Sequence, residues 1–158
     1  MIDISTRKHI VAFPSRMRNA VATHLFDLEL QENADNGELK SIGAYIKLGT
    51  YKAANAVSTF TGKIVEQASN GNWYIEVQDD YPDICFIYKS PKSAYTEDRL
   101  KVESLFYNDI TEDDPMIKGY PLSKRDIFEI SPIGFTGKPV VGKSVTFDST
   151  THKYVVGN

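Results

Sequence analysis

Cysteine is nearly missing from this chain of 158 residues: Cys85 stands alone, so no intrachain disulfide can form. Ile84, Phe86 and Ile87 surround it and read as a buried strand, which makes an activated thiol a poor expectation. Histidine is almost as scarce. His9, His24 and His152 are too scattered for a metal triad, and no His–Cys or Cys–Cys spacing resembles a zinc site. No metal and no cofactor is expected. Long apolar runs are missing too: nothing approaches the roughly 18 consecutive apolar residues of a membrane-spanning helix. The start MIDISTRKHIVAF places charges before only four apolar residues, too few for a secretory core. The expectation is a protein without a membrane partner, made in the cytoplasm. A strong excess of one charge is also lacking, since 18 Lys and Arg oppose 21 Asp and Glu for a net −3, which argues against a nucleic-acid binder.

What is present is an ordinary globular composition, 41% hydrophobic and 25% charged, at a length that fits one domain with a real core. Charge is uneven, however. Residues 1–20 hold Arg7, Lys8, Arg16 and Arg18 against Asp3 alone, leaving an acidic body behind a basic head. Residues 1–23 have weak periodicity and Pro14. Two alternatives stay open for them: a short helix capped by Ser15 with Met17, Val21 and Leu25 on one face, or an extended arm lying on a negatively charged partner. The division expected is an arm at 1–23 and a β-rich domain at 24–158.

From His24 the pattern sharpens to period two. Phe26, Leu28 and Leu30 alternate with Asp27 and Glu29, a half-buried strand, and Asn36-Gly37 marks the turn after it. Further strands are predicted at Gly62–Gln67, Asn72–Gln78, Asp83–Tyr88 and Asp126–Ser131, the first three as a meander with tight connections. Residues 49–61 are small and polar and predict a surface loop. One short helix is predicted from a Thr96 cap to Asn108. The fold class is therefore mainly β: a small antiparallel β-sandwich or barrel-like domain with one short helix and a basic N-terminal arm.

One stretch, GKPVVGKS at 137–144, satisfies the phosphate-loop pattern G-x-x-x-x-G-K-[ST]. That chemistry needs a helix starting at the Lys-Ser, so that backbone amides and the helix dipole face the phosphates. Here Val145 and Phe147, then Tyr154-Val155-Val156 after the polar DSTT, predict a hairpin instead. Gly137 and Gly142 are then turn residues flanking a short edge strand. The carboxylate pairs Asp79/Asp80 and Asp113/Asp114 lie beside prolines in turn-like sequence, where they face water. No nucleophile elbow, zinc-protease helix or calcium loop is present, so no catalytic residue is assigned and no enzymatic activity is expected. Nine Tyr, eight Phe and one Trp are the more informative feature, because Tyr suits both a sheet core and a protein interface.

The order of several short motifs resembles one family. NGELKSIG (36–43) is followed by WYIEVQ and ICFIY, then LFYNDI (105–110), IKGYPLSKRDIFEIS (117–131) and VVGKSVTFDSTTHKYVV. This is similar to the auxiliary capsid, or head decoration, proteins of some tailed bacteriophages. Their pattern runs Asn-Gly-x-Leu, a Tyr-Asn segment, an Arg-Gly-Tyr-x-Leu-x-x-Gly-Asp-x-Phe-x-Val run and a final Val-Gly-Asp hairpin. Asn36, Gly37 and Leu39 match the first motif, and Phe106, Tyr107 and Asn108 the second. Gly119, Tyr120, Leu122, Asp126 and Phe128 match the third, and Val141 and Gly142 the last. Lys118 replaces the Arg, Arg125 replaces the Gly before Asp126, and residues 1–23 have no counterpart.

The resemblance implies a structural virion protein on the capsid surface, assembled in the bacterial host cytoplasm. It would bind the major capsid protein and stabilise the shell by bridging subunits, with copies of itself or a head fibre as further partners. The other structural role considered is a head-fibre base or tail-associated adaptor. The expected capsid-binding residues are Arg7, Lys8, Arg16, Arg18, Tyr45 and Tyr51, and no specific nucleic acid is expected as a partner.

Overall fold

The protein is described by a computed structural model at residues 10, 12–17, 25–55, 57, 59–89, 107–108, 110 and 115–157. In chain order its strands are β1 (Ala12–Arg16), β2 (Phe26–Glu29), β3 (Ala34–Asp35), β4 (Leu39–Lys47), β5 (Thr50–Ala54), β6 (Gly62–Gln67) and β7 (Trp73–Val77). There follow β8 (Tyr81–Tyr88), β9 (Tyr107–Asn108), β10 (Met116–Leu122), β11 (Ile127–Ile130), β12 (Phe135–Thr136), β13 (Ser144–Asp148) and β14 (Lys153–Val156). The fold is mainly β, as the alternating pattern predicts. Five strands close a small barrel in the order β10-β2-β5-β4-β8, and seven form a sheet in the order β1-β11-β7-β6-β13-β14-β12. Most pairs are antiparallel, as expected, and β2–β5 and β12–β14 are the parallel exceptions.

The run Ile84-Cys85-Phe86-Ile87 shows why both layers hold together. Successive side chains of a strand point to opposite faces. Ile84 and Phe86 join the core shared with the large sheet, while Cys85 and Ile87 fill the barrel with Leu28, Leu30, Ala53 and Ile117. Both faces of β8 are therefore dry, and the sequence reads as one apolar run. In the shared core Phe86 and Phe128 lie 4.8 Å apart, ring centre to ring centre. Tyr154 sits among Phe60, Phe128, Phe135 and Phe147, fully buried. Its hydroxyl donates to the Gly37 carbonyl at 2.6 Å, which gives the buried polar tip its partner. Gly37 has φ +89°, and a Cβ there would stand 2.4 Å from the Ala12 Cβ. Both the turn and the close approach of β1 require glycine.

Several expectations are corrected. Within the segment expected to be an arm, β1 pairs with β11 as an edge strand of the large sheet, and Ile10, Ala12 and Met17 are buried. This excludes a helix capped by Ser15, which lies in β1, and makes residues 12–16 part of the body. Pro14 is tolerated because β1 is an edge, with its pairing irregular just beyond. Residues 50–54, expected as loop, form β5 between β2 and β4, with Thr50 and Ala53 buried. The meander breaks after β7: β6 and β7 pair, but β8 belongs to the barrel. The helix expected from Thr96 lies outside the described residues except at its end, where Tyr107 and Asn108 form β9 against β3.

Candidate functional site

The β4–β5 hairpin begins inside the body and ends outside it. Leu39, Lys40 and Ser41 are buried, whereas Ala44 to Leu48 are exposed. Three large apolar side chains emerge at the tip: Tyr45 is 65% exposed, Ile46 37% and Leu48 93%. These exposed apolar side chains at one hairpin tip, beside the exposed Lys47, make the tip the candidate interaction surface. Gly49 takes φ +76° and lets the chain reverse after Leu48. Its carbonyl accepts from the Asp27 amide at 2.9 Å, which ties the turn to β2.

The hairpin is stiffened by aromatic contacts. Tyr51 lies edge-on to Phe26 on one side and to Tyr45 on the other, each at 5.7 Å. Tyr45 and Tyr51, both expected as binding residues, are thus brought together, with Tyr51 half-buried and Tyr45 exposed. Arg16 is exposed at the end of β1, and Arg7, Lys8 and Arg18 lie outside the described residues. Ile46 and Leu48 were not expected. Their signal was present as AYIKL before Gly49, but the small and polar stretch from Gly49 suggested a loop at 49–61 and hid the hairpin.

At the other end of the same hairpin lies a polar cluster that the motifs did not suggest. Lys40, 2% exposed, donates to Asn55 Oδ1 at 2.6 Å and lies 3.5 Å from Glu32 Oε1 and 3.6 Å from Glu38 Oε1. Asn55 Nδ2 donates to Glu32 Oε1 at 2.5 Å. Glu38 accepts the Asp35 amide through Oε2, but its buried Oε1 has no hydrogen-bond partner and faces His152 Nδ1, also unpartnered, at 3.3 Å. His152 holds φ +58°, an uncommon conformation for this residue. Burial pushes the Glu38 carboxyl up to about 7, and burial with the Lys40 charge holds His152 below its ordinary 6.5. The Asn55 hydrogen bond keeps Glu32 low, as a carboxylate.

The remaining sequence candidates make local contacts, apart from Asp113 and Asp114, which lie outside the described residues. Gly142 and Lys143 direct their amides to Ile64 and Val140 carbonyls, at 2.7 and 3.1 Å, so neither is turned toward an anion. Residues 138–143 are irregular and not the edge strand expected, and Ser144 opens β13 rather than a helix. Asp79 and Asp80 are exposed and accept the backbone amides of Asp80 and Lys124. Cys85 is buried and its thiol is pushed up to about 12 by burial, with the Asp83 charge adding to it. Asn36 and Asn108, from two separate motifs, meet at 3.0 Å, and Asn36 also bonds both backbone groups of Lys89. Among the described residues no group of His, Cys, Asp and Glu is arranged to hold a metal ion. Comparison with protein families, curated proteins and solved structures finds no match for this chain.

Proposed function

We propose that this protein is a structural virion protein that docks on the shell of a tailed bacteriophage and stabilises it by bridging major capsid protein subunits. The observation that carries the docking role is the β4–β5 tip, where Tyr45, Ile46 and Leu48 stand exposed on a braced hairpin. Rigid aromatic and aliphatic side chains lose little entropy on binding and leave water on contact, so a small tip can anchor a complex. The choice of shell as partner rests on the resemblance. Two local features support that resemblance. Arg125 stands where the family pattern has Gly and holds φ +74°, the conformation that favours Gly. The Asn of the first motif contacts the Asn of the second.

The test is attachment to shells lacking the protein, measured by co-sedimentation and by mass spectrometry of purified particles. Wild type is expected at high copy number relative to the major shell protein, with Leu48→Asp and Tyr45→Asp lost from the particles. Few copies confined to defined positions would favour the fibre-base or tail-adaptor role. No attachment at all would remove the proposal.

A further inference from the structure

We propose that Lys40 and Asn55 react with each other in the folded protein, forming an isopeptide bond between Lys40 Nζ and Asn55 Cγ with loss of ammonia. The two residues meet because of strand register. Ser41 pairs with Ala54 across β4 and β5, so Lys40 and Asn55 are the next opposed positions at the base of the hairpin. Lys40 Nζ already touches Asn55 Oδ1 at 2.6 Å. With a C=O bond of about 1.2 Å, the amide carbon lies within about 3.8 Å of the amine, close to a reactive approach.

The surrounding carboxylates have the positions such a reaction needs. Glu38 is 5% exposed, and its unpartnered Oε1 faces Lys40 Nζ at 3.6 Å. Its carboxyl, raised to about 7, is matched to proton transfer near neutral pH. Glu32 Oε1 spans the other two groups, 3.5 Å from Lys40 Nζ and 2.5 Å from Asn55 Nδ2. Glu38 takes one proton from the Lys40 ammonium, and the neutral amine attacks Asn55 Cγ. Glu32 then carries a second proton from the new C–N nitrogen to Nδ2, the Cγ–Nδ2 bond breaks, and ammonia leaves. It takes up the proton held by Glu38 and departs as ammonium. The Lys40 ammonium and the Asn55 amide thus become one secondary amide and one ammonium ion, with no oxidant or other reactant. Asn55 and Glu32 lie at the exposed rim of the cluster, which gives the ammonia an exit.

The bond would close the hairpin covalently at its base, beneath the exposed Tyr45–Leu48 tip. It does not rest on attachment to a shell. Intact-mass spectrometry of the purified full chain tests it: wild type is expected about 17 Da below its sequence mass, the mass of ammonia lost on amide exchange. Lys40→Arg and Asn55→Ala should keep their full masses, and digestion of wild type should yield the Lys40 and Asn55 peptides joined. Glu38→Gln, with circular dichroism to establish that it folds, should lower the joined fraction by on the order of tenfold at equal time. Glu32→Gln, assayed the same way, provides the second variant. Folded wild type that stays at full mass overturns the proposal. So does a loss of ammonia mapped instead to Asn36-Gly37 or Asn70-Gly71, where a succinimide would form.

Discussion

Glu38 joins the electrostatics of the two layers, because it precedes β4 of the barrel while His152 comes from the β13–β14 turn of the large sheet. Lys40, Asp35, Glu32, Asp148 and Tyr154 complete the charged and titratable surroundings of this pair. A carboxyl raised from 4.5 to about 7 on folding binds its proton more tightly in the folded state. Its contribution to stability is full below pH 4.5 and is lost as pH rises through 7, by on the order of 3 kcal/mol for an isolated group. His152 acts in the opposite sense, since its lowered folded value makes protonation below 6.5 destabilising. Glu38→Gln should therefore flatten the decline between pH 4.5 and 7 and leave the variant more stable than its parent above pH 7. The comparison belongs in an Asn55→Ala background, so that no cross-link contributes. Denaturant melts across this range that keep the parent's slope would count against it. Lys143→Ala should leave stability unchanged and the chain without ATP or GTP binding by calorimetry, because the loop's amides already serve β6 and its own turn. At this scale the sequence exposed the false phosphate loop, since Val145 and Phe147 alternate as a strand. The Lys40 cluster was hidden because Glu32, Glu38, Lys40, Asn55 and His152 are scattered in sequence and converge only through the closed barrel and the β13–β14 turn.

The legible strands either have two differing faces or, like β8 at Ile84–Ile87, are apolar runs buried on both faces. β6, β7 and β14 alternate or carry β-branched and aromatic residues between turn signals, and Gly62–Gln67 was located to the residue. β5 and β10 were missed for opposite physical reasons. β5 carries Lys and small residues that suggest solvent, yet its neighbours β2 and β4 enclose it. β10 carries Gly119 and Pro121, which normally interrupt a strand, but Gly119 lets Leu28 pack closely and the pairing with β8 shifts after Pro121. The hairpin tip gives the clearest prediction for an element. Leu48 is 93% exposed, so Leu48→Asp should change folding stability by no more than about 0.5 kcal/mol. If the tip is an anchor, attachment should weaken by about 2 kcal/mol, roughly thirtyfold. Equal attachment of wild type and variant would remove the tip from the interface. The segment expected as an arm predicts the reverse balance. Deleting residues 1–20 removes β1 and the buried Ile10, Ala12 and Met17, so the chain should lose folding stability and not attachment alone. A truncated chain with an unchanged melting temperature would restore the arm.

For the whole molecule, the proposed role depends on multiplicity more than on the strength of one contact. A tip with three exposed apolar side chains offers a modest interface, of the size that binds weakly when a single copy meets a single partner. Repetition on a symmetric shell changes this, because a shell subunit held by several copies must break several contacts before it can leave. Binding to the intact shell and not to its dissociated subunits also shifts the assembly equilibrium by mass action. The two-layer body suits such a load. Ile84 and Phe86 of β8 pack into the core shared with the large sheet, so barrel and sheet cannot separate without exposing that core. Particles stripped of the protein are therefore expected to release DNA at lower temperature and under milder osmotic or low-magnesium stress. Adding back wild type should restore resistance, whereas Leu48→Asp should not. Lys40→Arg separates covalent closure from docking, since it should attach normally to unstressed particles while protecting them less under stress. Stripped particles as robust as complete ones would remove the stabilising role even if attachment is found.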